Sequence, residues 1–270
     1  MKITIPQIRT GPDADRNIVA ILDILNDVHD VGPGILVLPE SSFTGYGIAA
    51  IPAQSSRDEW LSRLSDFARD SGSHVYTGSW PEPSASSGTC VQVARLIGPD
   101  GIEMGRVERE ILPDGSTMTG SDFPVIKTAI GTLGLVLGPD FWLIEPARIQ
   151  CLKGAELLVV AGAITGRRRS AQRSAVWGIS TLNTVGVAFS GSLGAHAYGG
   201  SAIAMPEGFV AQAYEEETVL QAEWDPTRIS RIREPDLKFQ QTMWFGLWAR
   251  RPDLYGLLVD PNPLETEGVT

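Results

Sequence analysis

A chain of 270 residues with 43% hydrophobic content is long enough to bury one large core, and no Pro/Ser/Gly linker or charge block divides it. A formal net charge of −10, with lysine only at Lys2, Lys127, Lys153 and Lys238, argues against nucleic-acid or anionic-membrane partners, both of which need concentrated positive charge. Cys90 and Cys151 are too few for a disulfide framework, and no stretch reads as a signal peptide or as the roughly 20 apolar residues of a membrane span, so a single-domain cytoplasmic protein is expected.

Residues 1–5 alternate apolar and polar side chains, as an opening strand should. Residues 13–28 carry Ile18, Ile21, Leu22 and Leu25 at helical spacing, with Asp13 or Asp15 as N-cap. The run Ile35-Leu36-Val37-Leu38 then reads as a short strand buried on both faces. Pro39 stops it and leaves Glu40 at its carboxyl end. A carboxylate there is an ion-pair partner or a site residue, because an unpaired buried charge is too costly.

A second helix is predicted over residues 57–70, with Trp60, Leu61, Leu64 and Phe67 on one face, followed by a strand over 74–80. Residues 90–97 and 105–112 look like paired strands joined at Gly98-Pro99-Asp100-Gly101, a good turn sequence. A strand over 131–137 ends at Gly138-Pro139-Asp140-Phe141-Trp142. A helix over 145–152, a strand over 155–160 and a helix over 167–184 follow, the last with Trp177 as its largest apolar anchor. Further strands are predicted over 185–190, 201–205 and 219–224, and the aromatic-rich extension from about 235 is irregular. Alternation of this kind implies an α/β layered fold.

Several stretches resemble the nitrilase (carbon–nitrogen hydrolase) superfamily. They are Leu38-Pro39-Glu40 with Thr44-Gly45-Tyr46, the Gly98–Gly101 turn, Leu182-Asn183, Gly199-Gly200-Ser201 with Pro206-Glu207-Gly208, and Arg250-Arg251-Pro252-Asp253-Leu254-Tyr255. Gln7 and Asn17 also stand where that family usually has Gln and Asn. The resemblance implies a four-layer α-β-β-α sandwich, assembled as a homodimer or larger homo-oligomer. It also implies that Glu40 is the general base of a Glu–Lys–Cys triad.

The other two triad positions depart from the pattern. Counting back from Pro113 along Arg106-Val107-Glu108-Arg109-Glu110-Ile111-Leu112 puts Glu108 in the lysine slot. A one-residue bulge would instead offer Arg109, whose guanidinium is not a positional substitute for an ammonium. Gly138 stands in the cysteine slot and has no thiolate to offer, and Cys90 and Cys151 lie elsewhere in the chain. Thiol-dependent hydrolysis of an amide or nitrile is therefore not expected.

With that family's geometry, Glu40, Glu108 and Asp140 would share one pocket as catalytic carboxyl groups, and Gly138, Trp142, His196 and Tyr46 would contact substrate. Adjacent carboxyls raise one another's pKa, giving an acid/base pair that needs no covalent intermediate. No His/Cys spacing points to a metal, and no cofactor is expected. Two readings follow: an enzyme using carboxylate chemistry on a small polar, nitrogen-containing substrate, or a catalytically inactive homologue acting as a binding protein or partner subunit. Convergence of the three carboxyls on an open cleft would favour the first. Glu108 turned outward into a surface ion pair would favour the second.

Overall fold

The computed structural model describes residues 1–28, 33–47, 50–84, 90–111, 122–165, 171–233, 247 and 250–260. Strand β1 (Lys2–Gln7) leads into helix α1 (Ala14–Asp27), which is capped by Asp13 accepting from the Arg16 amide at 3.1 Å. Strand β2 (Gly34–Val37) lies parallel to β1, close enough that a Cβ on Gly34 would sit 2.0 Å from the Lys2 carbonyl oxygen. Helix α2 (Gln54–Ser71) ends at Gly72 in the left-handed conformation. Strands β3 (His74–Tyr76), β4 (Trp80–Pro83), β5 (Cys90–Ile97) and β6 (Glu103–Ile111) complete the first half.

The second half runs β7 (Val125–Thr128), β8 (Gly131–Leu137), a 3-10 turn (Gly138–Trp142), α3 (Ile144–Leu152), β9 (Leu157–Gly162) and α4 (Ala171–Asn183). It closes with β10 (Gly186–Gly191), β11 (Ala202–Met205), β12 (Gly208–Gln212), β13 (Thr218–Glu223) and α5 (Pro226–Arg233).

Two mixed sheets result. One is seven-stranded, in the order β13-β1-β2-β3-β5-β4 with β6 paired to β5; the other is six-stranded, in the order β12-β11-β10-β9-β8-β7. Ile3, Ile5, Val37 and Leu96 of the first sheet meet Leu133, Leu135, Leu157 and Ile203 of the second in a buried cluster between them. On the outer face of the first sheet, Leu36, Leu38 and Val75 pack with Ile21, Leu25, Trp60 and Leu64 of α1 and α2. On the outer face of the second, Val136, Leu158 and Val160 pack with Ala147, Cys151 and Val176 of α3 and α4. The layers are α-β-β-α, and β2 is buried on both faces, as its unbroken apolar run predicts.

Several elements differ from the sequence reading. The strand predicted over 74–80 breaks after Tyr76, because Gly78 turns with φ +67° and packs where a Cβ would lie 2.2 Å from the Pro39 carbonyl oxygen. Beyond the break, Phe43, Trp60 and Trp80 form a three-ring cluster, with centroids 4.9, 5.3 and 5.6 Å apart. Trp177 does not anchor α4. It is half-exposed, and the buried positions are Gln172, Val176, Ser180 and Asn183. Strands β4, β7 and β12 and helix α5 were not predicted. Residues 112–113 and 166–170, and most of the tail after 233, lie outside the described residues.

Candidate active site

Glu40 follows β2 in a tight turn whose next residue, Ser41, takes φ +54°. A left-handed non-glycine residue costs on the order of 1 kcal/mol, so the turn is held by its surroundings. The Ser41 amide donates to Ser79 Oγ at 3.1 Å. Gln92 Nε2, from β5, donates to both Ser41 Oγ (3.0 Å) and Ser79 Oγ (2.8 Å). From the other sheet, the Ser192 hydroxyl donates to the Glu40 carbonyl oxygen. Glu40 is only 8% exposed, and none of the described residues donates a hydrogen bond to its carboxyl. Burial lifts its pKa from 4.5 to about 7, with Arg109 pulling the other way.

Among the described residues, Arg109 is the cation that acts on Glu40. Along β6, Arg106 and Glu108 are exposed while Val107 and Arg109 are buried, the alternation a pleated strand imposes. Val107 sits in the cluster between the sheets, so Arg109 projects there too, at 1% exposure. Its Nε donates to the Leu137 carbonyl oxygen, and its guanidinium pairs with Asp140, itself 2% exposed. Burial lowers the guanidinium pKa to about 10, while Glu40 and Tyr76 nearby hold it up. Tyr76, at the end of β3, donates its hydroxyl to the Val136 carbonyl oxygen at 2.9 Å, and burial keeps that phenol protonated. Asp140 and Arg109 cancel in charge and leave Glu40 as the remaining titratable carboxyl of the group.

Gly138 opens the 3-10 turn after β8 with φ +54°. A Cβ built on it would have Glu40 Oε1 at 3.1 Å and Oε2 at 3.3 Å. The carboxyl therefore faces the space where a side chain at 138 would begin.

The expected pocket of three carboxyls does not form. Glu108 is about half-exposed and pairs with Arg106 at 3.6 Å on the outer side of β6. The strand's parity overrides the count from Pro113. Asp140 is in the site, but as the partner of Arg109 rather than as a coupled acid beside Glu40. Trp142 is half-buried, with its ring edge-on to Phe141 at 5.7 Å, and packs against the outer cluster under α3 and α4. Tyr46 is half-buried just after the Glu40 turn, and His196 is exposed in its loop. Cys90 begins β5 opposite Ile111, and Cys151 is buried in α3 with its thiol pushed up to about 11 by burial. Among the described residues, no group of three or more His, Cys, Asp or Glu could hold a metal. Tyr76, Gln92 and Ser192 escaped the sequence reading. Arg109 was offered only through a one-residue bulge; the signal that could have placed it is the apolar Val107 two residues before it on the same strand face.

A family model described as carbon-nitrogen hydrolase matches residues 2–234. An omega-amidase of Xenopus tropicalis is 26% identical over 254 residues, covering 86% of this chain and 91% of its own. An N-carbamoylputrescine amidase of Arabidopsis thaliana is 24% identical over 294 residues, covering 94% and 93%. The crystal structure of a carbon-nitrogen hydrolase from Helicobacter pylori superposes with a TM-score of 0.82 at 22% identity, covering 97% of this chain and 99% of that one.

Proposed function

Because the chain belongs to the carbon-nitrogen hydrolase family, we propose that it binds a small amide-type molecule at the Glu40–Arg109 site without cleaving it through a thioester. One observation carries this. The space facing the Glu40 carboxyl belongs to Gly138, which has no nucleophilic atom. A strand-to-helix turn with a left-handed first residue can present a nucleophile at a strand end, and here the residue so presented is glycine. The cation supports the same conclusion. Arg109 is tied to Asp140 and to the Leu137 carbonyl, whereas oxyanion stabilisation needs donors aimed at the developing charge. Amide-type ligands are proposed because relatives at 24–26% identity are amidases.

The test is a panel of primary amides and N-carbamoyl amines offered to the purified chain. Expected are a rise in melting temperature with saturable binding and no ammonia release. Turnover that Glu40→Gln leaves intact, or the absence of any binding, would refute the reading.

A second reading is favoured by the Glu40 pKa of about 7, which suits general acid–base catalysis at neutral pH. There Glu40 would deprotonate a water that attacks the amide directly, then protonate the leaving nitrogen. Ammonia release abolished by Glu40→Gln would select it. We also carry forward self-assembly. Ile144 and Leu152 on α3 and Trp177 and Leu182 on α4 are exposed apolar residues on neighbouring helices, suited to a second copy.

A further inference from the structure

We infer that Gln92, on β5, is the positioning residue of the site: it holds the Glu40 turn through Ser41 and Ser79 and so sets how the Glu40 carboxyl faces Arg109. The inference rests on Glu40 as the ligand-binding group proposed above and names what keeps that group in place, although its readout needs no ligand.

A carboxyl can be aimed by donors that grip its oxygens or by the main chain that carries it. Among the described residues, no donor grips the Glu40 carboxyl. The main chain, by contrast, is held tightly. The peptide unit joining Glu40 to Ser41 is engaged at both of its polar atoms. Its carbonyl oxygen accepts from the Ser192 hydroxyl of the second sheet, and its N–H donates to Ser79 Oγ at 3.1 Å beside the first. A planar unit pinned on opposite edges resists rotation, so ψ of Glu40 and φ of Ser41, which is +54°, are held together.

Ser41 and Ser79 share one partner. Gln92 Nε2 donates to Ser41 Oγ at 3.0 Å and to Ser79 Oγ at 2.8 Å, using both N–H groups of one amide. Gln92 is buried, so water does not stand ready to replace those bonds. The same residue also neighbours the cation. Gln92 lies directly opposite Arg109 in the β5–β6 pairing, so both side chains leave the face that carries Ala94 and Val107 into the core. Gln92 thus links the turn bearing Glu40 to the strand bearing Arg109.

The experiment is a carbon-13 NMR titration of the Glu40 carboxyl from pH 4 to 8.5, on the whole chain labelled at glutamate Cδ, with Glu40→Gln identifying the signal. Wild type should titrate at about 7. Gln92→Met keeps the length and loses both donors. The loosened turn then admits water to the carboxyl, and the midpoint should fall by about one pH unit or more toward 4.5. Arg109, Tyr76 and Asp140, the charged and titratable groups around Glu40, are the same in that variant. Gln150→Met is the control. Gln150 is also buried and also donates twice, to the Pro124 and Leu135 carbonyl oxygens, but from α3 on the outer side of the second sheet. Its loss should lower the melting temperature and leave the Glu40 midpoint in place. Where Gln92→Met fails to fold, Ser79→Ala, which removes the acceptor of the Ser41 N–H, should give the same fall. A midpoint unchanged within about 0.3 pH unit in the folded variant overturns the inference, as does an equal fall in Gln150→Met. A fall confined to the Gln92 or Ser79 variant supports positioning even where no carboxamide binds. An unmoved midpoint removes it even where carboxamides bind tightly, so its failure and that of the ligand-binding role are told apart.

Discussion

Replacing Glu40 by Gln should make the protein more stable at neutral and alkaline pH, although it alters the residue at the centre of the site. The folded chain keeps the Glu40 proton up to about pH 7, whereas the ordinary value is 4.5. Between these values the folded state binds more protons than the unfolded state, so stability falls as pH rises across that window and levels off above it. The displacement from 4.5 to about 7, at about 1.4 kcal/mol per pH unit, is worth on the order of 3 kcal/mol. Glutamine keeps the volume and cannot ionise, so the variant avoids the loss. Urea unfolding of both proteins from pH 4 to 8.5 measures the difference. It should grow in favour of the variant as pH rises from 4.5 to 7, then stay constant. Asp122, Asp225 and Asp253, whose pKa values are lowered by their hydrogen bonds, add slopes of opposite sign at acid pH, but equally in both proteins. Glu108→Gln is the control. It sits on the solvent side of β6 against Arg106 and should leave the profile unchanged. A difference between wild type and Glu40→Gln that stays flat within about 1 kcal/mol over this range would refute the burial argument.

The Arg109–Asp140 pair yields a second prediction: Asp140→Asn leaves a buried guanidinium short of its counter-ion and should cost about 3–5 kcal/mol. The double variant Arg109→Met with Asp140→Leu should recover most of that, or exceed wild type, by urea unfolding. A double variant as unstable as the summed singles would show that the pair is not the unit. On self-assembly, Leu182→Glu on the exposed face of α4 should lower the sedimenting mass to that of one chain without lowering the melting temperature. Equal masses for variant and wild type would remove that face as the contact.

Much of the frame could be read from the letters, and the reasons are local. Four consecutive apolar residues before Pro39 can be buried only on both faces: Leu36 of β2 and Leu38 just after it point outward to the helices, while Ile35 and Val37 face the other sheet. The cation was harder. A count anchored at Pro113 pointed to Glu108, with Arg109 offered only through a one-residue bulge; in the structure no bulge is needed, because the pleat that buries Val107 buries Arg109 as well. Helix α4 misled for another reason. Three of its four buried positions are polar, so the largest apolar residue did not mark the inner face. Those side chains donate to main-chain carbonyls instead, Ser180 Oγ to that of Val185 at 2.6 Å, Asn183 Nδ2 to that of Ile179 at 2.9 Å, and Gln172 Nε2 to that of Gly200. Tyr76, Gln92 and Ser192 reach the site through pairings between distant segments, which no short window of sequence displays.

The three-ring cluster of Phe43, Trp60 and Trp80 gives the site a built-in optical reporter. Phe43 lies three residues beyond Glu40, and its ring stacks on Trp60 and meets Trp80 edge-on. The two indoles stand 5.6 Å apart at 78°, close and rigid enough for their transitions to couple and to give a strong near-ultraviolet circular dichroism signal. A shift of the Glu40 turn would move Phe43 against both indoles. Ligand entry, Glu40 ionisation and loosening of the turn would each change that signal before the rest of the fold responds.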